Sequence, residues 1–203
     1  AACALLSSVM YTAVPLFLVA ALASNETRLV VLVDRYAENL SAVLERAAPL
    51  PTVRAGETLL RVAASSVNPI DYKVLDGSLK SLFPLHFPQI LGADVLGTVV
   101  GCGAGACSRV RLGERVWGNL GVGGVGAWAE TVAVPEALVS IAPTLLTGFD
   151  EAALATLPLV GMTMLQAFNA AAGVFTPRRH ESNRSVCVIS SGSGGTGPAG
   201  LQI

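Results

Sequence analysis

From residue 28 onward the chain is a succession of short apolar, β-branched segments with glycine turns among them, and this spacing is the strongest constraint on its fold. Residues 28–34 (RLVVLVD) form the first segment, and residues 58–64 (TLLRVAA) follow the turn Ala55-Gly56-Glu57. Residues 95–100 (VLGTVV) run into Gly101-Cys102-Gly103-Ala104-Gly105, where glycine reaches φ > 0 without a Cβ penalty and the chain can reverse. Leu112-Gly113-Glu114 precedes a short segment at 115–117, and residues 128–134 (WAETVAV) alternate large and small side chains. Strands this short and this regularly punctuated predict a compact β-barrel-like domain over about residues 28–145. The period then changes. Asp150 is a good N-cap for Glu151-Ala152-Ala153-Leu154-Ala155, Pro158 interrupts, and residues 160–172 resume a helical run with Met164, Leu165 and Phe168 apolar. Residues 176–181 read as a polar surface loop, and residues 185–190 (SVCVIS) as a last apolar strand.

Composition narrows the function classes. Charged residues are 13% of the 203-residue chain, apolar residues 52%, and the formal charge is −1. That is too apolar for a disordered chain, and not basic enough to displace phosphate counterions as a nucleic-acid binder must. Cys3, Cys102, Cys107 and Cys187 are too scattered for a disulfide framework. Cys102 and Cys107 are close enough to meet across a tight loop, but are read as two small apolar loop residues.

The amino terminus stands apart. No charge occurs before Glu26, and residues 11–23 (YTAVPLFLVAALA) make an apolar run shorter than the roughly 20 residues that span a bilayer. It has the length of a signal-peptide core and ends in Ala21-Leu22-Ala23, although no Lys or Arg precedes it. Residues 1–27 are therefore set outside the fold as a leader or upstream remnant. A cytoplasmic location is expected, or an organellar or secretory one if residues 1–23 act as a targeting leader, and membrane contact is expected only if that leader is retained.

One segment carries chemistry. Gly192, Ser193, Gly194, Gly195, Thr196 and Gly197 fit G-x-G-x-x-G, with an apolar strand before them and Ala199-Gly200-Leu201-Gln202-Ile203 able to begin a helix. In that setting the first glycine makes the tight turn, the second lets backbone approach a pyrophosphate, and the third allows close helix–strand packing. Gly121-Val122-Gly123-Gly124-Val125-Gly126 fits the same expression, yet no long apolar strand precedes it and strand alternation follows, so it reads as a flexible loop. The residue that would grip the adenosine ribose lies about 20 positions beyond such glycines, and residue 203 comes before it.

Six segments taken in order resemble the medium-chain dehydrogenase/reductase superfamily, in its zinc-free quinone oxidoreductase and enone (enoyl) reductase branch. They are residues 62–73 (VAASSVNPIDYK), 87–97 (FPQILGADVLG), 111–117 (RLGERVW), 126–135 (GAWAETVAVP), 155–166 (ATLPLVGMTMLQ) and 188–202 (VISSGSGGTGPAGLQ). The resemblance implies a mixed α/β fold. A GroES-like β-barrel catalytic domain would occupy 28–145, and residues 146–203 would supply linking helices plus the first strand and glycine loop of a Rossmann nucleotide-binding domain. Zinc-dependent members carry a Cys near Asn68 and Gly-His-Glu where this chain has Gly92-Ala93-Asp94. A catalytic zinc needs three protein ligands, so a metal-free protein is expected.

Without a Lewis acid, hydrogen-bond donors must polarise an α,β-unsaturated carbonyl as it is reduced. Asn68, Tyr72 and Lys73 lie together just after a strand and are the expected catalytic group, with Tyr72 and Lys73 as donors and Asn68 orienting cofactor or substrate. Asn68, Thr163 and the six residues from Gly192 to Gly197 are expected to contact NADPH. Asp94 is expected to bond backbone near the cleft, and Trp128 to fill barrel core. The expected activity is NADPH-dependent reduction of quinones or of the C=C bond of α,β-unsaturated carbonyls, with a small carbonyl or quinone substrate, no nucleic-acid partner, and a homodimer implied for a full-length form. The 203-residue chain alone is expected to be inactive. The rival expectation is a non-catalytic barrel serving as a binding module, with a zinc-dependent alcohol dehydrogenase as a weaker third.

Overall fold

The computed structural model describes residues 26–144, 150–170, 189 and 193–202. The apolar run at 11–23, most of the expected strand at 185–190, the loop at 176–181 and Gly192 lie outside them. Eight strands are seen: β1 (Thr27–Val33), β2 (Val43–Pro49), β3 (Glu57–Ala64), β4 (Gln89–Ile90), β5 (Asp94–Cys102), β6 (Arg115–Asn119), β7 (Thr131–Pro135) and β8 (Val139–Ile141). Four α-helices accompany them: α1 (Pro69–Leu75), α2 (Glu151–Ala155), α3 (Leu157–Ala170) and α4 (Gly197–Gln202). The class is mixed α/β, as expected.

The strands form two antiparallel sheets, one ordered β2-β1-β4 and one ordered β7-β3-β5-β6-β8. The sequence reading missed β2. Its segment VLERAAP carries Glu45 and Arg46 and alternates poorly, yet it pairs with β1 from Thr27 opposite Pro49 to Val33 opposite Val43. The expected strand over 128–134 is shorter than the alternation suggested and begins only at Thr131. The reason is where the preceding backbone bonds go. Trp128 N–H donates to Leu91 O (3.0 Å), Val31 N–H to Trp128 O (2.8 Å), Glu130 N–H to Leu29 O (3.0 Å) and Val62 N–H to Glu130 O (2.9 Å). This stretch joins the two sheets and cannot also extend β7.

β5 shows why the core sits where it does. Val95 and Val99 face a cluster with Leu60, Val116, Val132, Val134 and Val139, while Leu96 faces the other way onto Leu154 and Ala155 of α2. A strand covered on both faces needs apolar residues at consecutive positions, which Val95 and Leu96 supply, both at 0% exposure. Burying each contributes about 2 kcal/mol, so β5 anchors the sheet and the helix together. Gly97 on the same strand has no room for a side chain, since a Cβ there would lie 2.6 Å from Arg61 O.

Cys102 and Cys107 are disulfide-bonded, with Cα atoms 5.8 Å apart, which corrects the reading of them as unconnected loop residues. Gly103 and Gly105 lie between them, and Gly105 at φ +74° makes the reversal that brings the two sulfurs together.

Candidate functional site

Asn68 is the N-cap of α1, in extended backbone (φ −113°, ψ 158°), with Pro69 at the first helical position and Asp71 in the first turn. These are start signals that the sequence displays, although seven residues are too few to show helical periodicity. Asn68 N–H donates to Asp71 Oδ2 at 2.7 Å. Asp71 is buried, and loss of water raises its pKa above the ordinary 3.8. Bonds from the Asn68 and Gly92 backbone oppose that rise, and the nearby Asp94 charge adds to it.

The Asn68 side chain points inward, at 6% exposure. Its Nδ2 group donates to Ser66 Oγ and to Asp94 Oδ2, both at 2.9 Å. Ser66 Oγ in turn donates to Asp94 Oδ2 at 2.6 Å. The other carboxylate oxygen, Asp94 Oδ1, accepts Leu159 N–H at 2.7 Å, in the first turn of α3. Asp94 is fully buried. Placing a carboxylate in the interior costs several kcal/mol, and hydrogen bonds to a charged group return about 1.5–3 kcal/mol each. Its three side-chain bonds are enough to offset that, aided by the positive end of α3.

α3 follows α2 after a break at Thr156, one residue before the helix that contains Pro158. Asp150 caps α2 as expected, accepting Ala153 N–H at 2.7 Å. On α3, Thr163 is exposed, and its hydroxyl donates back to Leu159 O at 2.7 Å. α4 packs on α3, and Gly200 is the contact: a Cβ there would collide with Met164 Cε. Ahead of α4, Ser193, Gly194 and Gly195 form an exposed turn, Thr196 is half-buried and Gly197 is buried. The space beside Gly195 is open, so the turn presents bare backbone as a diphosphate cradle requires.

The structure therefore separates the expected catalytic residues. Tyr72 is 55% exposed and Lys73 is exposed on α1, while Asn68 is buried with its side-chain nitrogen bonded to Ser66 Oγ and Asp94 Oδ2. Asn68 thus ties the start of α1 to Asp94. Asp94 does bond backbone, and Trp128 is packed with the cluster around Leu91 while its Nε1–H donates to Ser66 O at 3.1 Å. Sequence reasoning missed Ser66 and the Leu159 amide; nothing in a sequence marks a backbone donor 65 residues from its acceptor. The second glycine segment, residues 121–126, is an irregular loop. Only the short strand β6 (RVWGN) ends before it, and the next regular element is a strand, β7, and not a helix. Among the described residues no group of three or more His, Cys, Asp or Glu is placed to hold a metal ion.

Residues 54–144 match the family described as the alcohol dehydrogenase GroES-like domain. The chain is similar to a chloroplastic quinone-oxidoreductase homolog of Spinacia oleracea, at 34% identity over 76% of this chain and 45% of that one. It is also similar to the mitochondrial NAD(P)H oxidoreductase RTN4IP1 of Drosophila melanogaster (31%, covering 76% and 40%) and the trans-enoyl reductase opdC of Penicillium oxalicum (33%, covering 79% and 45%). Among solved structures, the quinone oxidoreductase from Coxiella burnetii matches with a TM-score of 0.61 at 29% identity, over 72% of this chain and 45% of that one. The chain belongs to the medium-chain dehydrogenase/reductase superfamily. It spans a little under half the length of these superfamily relatives. The matched stretch contains the whole five-stranded sheet and β4, and with them α1 and Asp94, while β1 and β2 precede it.

Proposed function

We propose that these residues belong to a zinc-free reductase that takes NADPH and reduces quinones or the C=C bond of α,β-unsaturated carbonyls. The observation that carries the reading is a continuous path across the molecule. The glycine turn opens α4, α4 packs through Gly200 on α3, and α3 is capped by the same carboxylate that holds Asn68 beneath α1. The names of the relatives, which include quinone oxidoreductases, an NAD(P)H oxidoreductase and an enoyl reductase, support the same class.

A nicotinamide dinucleotide, when bound, supplies the hydride. The residues here bind and orient. The backbone N–H groups from Ser193 to Gly197 would hold the diphosphate, and the exposed Thr163 hydroxyl lies on the helix that this turn's helix packs against. Tyr72 and Lys73 are the exposed donors of α1. They stabilise negative charge on the carbonyl oxygen as the conjugated bond is reduced. Asn68 enters this reading as the residue that positions α1. Since the relatives are about twice as long, residues 1–203 alone are expected to oxidise NADPH no faster than background.

The test is NADPH oxidation by the longest natural form that contains these residues, with a quinone and an alkyl enone as separate substrates and NADH as the competing cofactor. Turnover with either substrate that weakens in Tyr72→Phe or Lys73→Ala supports the assignment. A form that neither binds nor oxidises NADPH leaves the barrel as a non-catalytic binding module.

A further inference from the structure

We propose that Asp94 is a positioning residue that couples α1 to α3, so that displacing Asn68 is felt at the first turn of α3. The reason is that one fully buried carboxylate serves both elements with different oxygens. Oδ2 takes donors from Ser66 and Asn68, which lead into α1, and Oδ1 takes the Leu159 N–H of α3. Its backbone is fixed too, because Ser65 Oγ donates to Asp94 O at 2.7 Å and Asp94 pairs with Asn119 across β5 and β6.

Packing and capping have separate jobs here. Leu96, Leu154 and Ala155 hold the helical pair against β5 through apolar contact, which is non-directional and tolerates sliding. A hydrogen bond at 2.7 Å does not tolerate sliding. The Asp94 side chain therefore sets where α3 begins along the sheet, and it can do so only while its other oxygen is held by Ser66 and Asn68. The consequence rests on the reductase reading in one respect, the naming of α1 as the substrate side and α3 as the cofactor side. The coupling itself does not.

The test uses the ¹⁵N-labelled chain without any cofactor and follows amide exchange at Leu159 relative to Val99 in β5, together with the side-chain amide signals of Asn68. Asp94→Ala should speed Leu159 exchange about tenfold, as loss of a helix cap does. Asp94→Asn should keep Leu159 protected, because its carbonyl oxygen can still accept, while shifting the Asn68 side-chain signals, because two NH₂ groups then face each other. Asn68→Ala leaves Asp94 intact and should still speed Leu159 exchange at least about twofold, the scale of coupling between residues in one network. Unchanged Leu159 exchange in Asn68→Ala overturns the proposal, as does unchanged exchange in Asp94→Ala. Should Asp94→Ala fail to fold, the other two variants decide. Because no cofactor is present, failure of the reductase reading leaves this outcome intact, and failure of the coupling leaves NADPH binding free to be observed.

Discussion

Gly92 lies against the indole of Trp128, with no space between them for a side chain: a Cβ added to Gly92 would sit 2.7 Å from Trp128 Nε1. The same glycine has φ +99°, a conformation that L-residues avoid. Steric crowding and backbone strain thus act at one position, and Trp128 cannot retreat without losing its bond to Ser66 O. Gly92→Ala is expected to destabilise the fold by at least about 2 kcal/mol, read as a lowered urea midpoint. A midpoint equal to wild type would show that the turn relaxes freely.

Asp71 gives a pH dependence of definite sign. Its folded pKa lies above the ordinary 3.8, chiefly through loss of water. Between those two values the native state holds a proton that the unfolded chain has released, so this group's contribution to stability falls as pH rises through the window and is level on either side. Asp71→Asn removes the titration and keeps an oxygen to accept the Asn68 N–H. The urea midpoint of wild type minus that of Asp71→Asn should decline as pH is raised from about 4. A difference that is constant or grows would contradict the assignment.

Glu136 titrates in the opposite sense. Its carboxylate accepts N–H bonds from Arg109 (2.6 Å) and Val110 (3.1 Å) and the hydroxyl of Ser108 (3.0 Å). The Arg109 bond is the chief reason its pKa falls below the ordinary 4.5. A lowered folded pKa contributes stability that is present above the ordinary value and lost as pH falls through the folded one. The stability advantage of wild type over Glu136→Gln should therefore shrink when the pH is taken below 4.5, and denaturant titrations at a series of acidic pH values will show it.

The disulfide closes a short loop at the far end of β5 from Asp94. Cross-linking so few residues restricts the unfolded chain modestly, by about 2 kcal/mol on the chain-entropy account. The double variant Cys102→Ser, Cys107→Ser should lose about that much, and a reducing agent should destabilise wild type equally while leaving the variant unmoved. Equal response of both to the reductant would mean that the bond does not contribute.

Much of this architecture is written locally. Short apolar, β-branched segments, with glycine turns before β3 and β6 and after β5, specify β1, β3, β5 and β6 because a turn and a strand are decided by their own residues, and Asp150 announces α2 for the same reason. The pattern failed where a segment's character depends on its neighbours. β2 is a strand because β1 offers it a complete edge, and Trp128 leaves its apparent strand because Leu91 and Val31 take its backbone groups.

The residues of the site divide along the same line. Asn68-Pro69 and Asp71 state a helix start, and the six ordered segments name the superfamily, since both depend on spacing along the chain. What Asn68 does with its amide, and that Asp94 reaches a helix beginning some sixty residues later, were decided only by folding. A buried hydrogen bond is a relation between positions in space, and burial turns each unsatisfied polar atom into a penalty that only the assembled neighbours can remove.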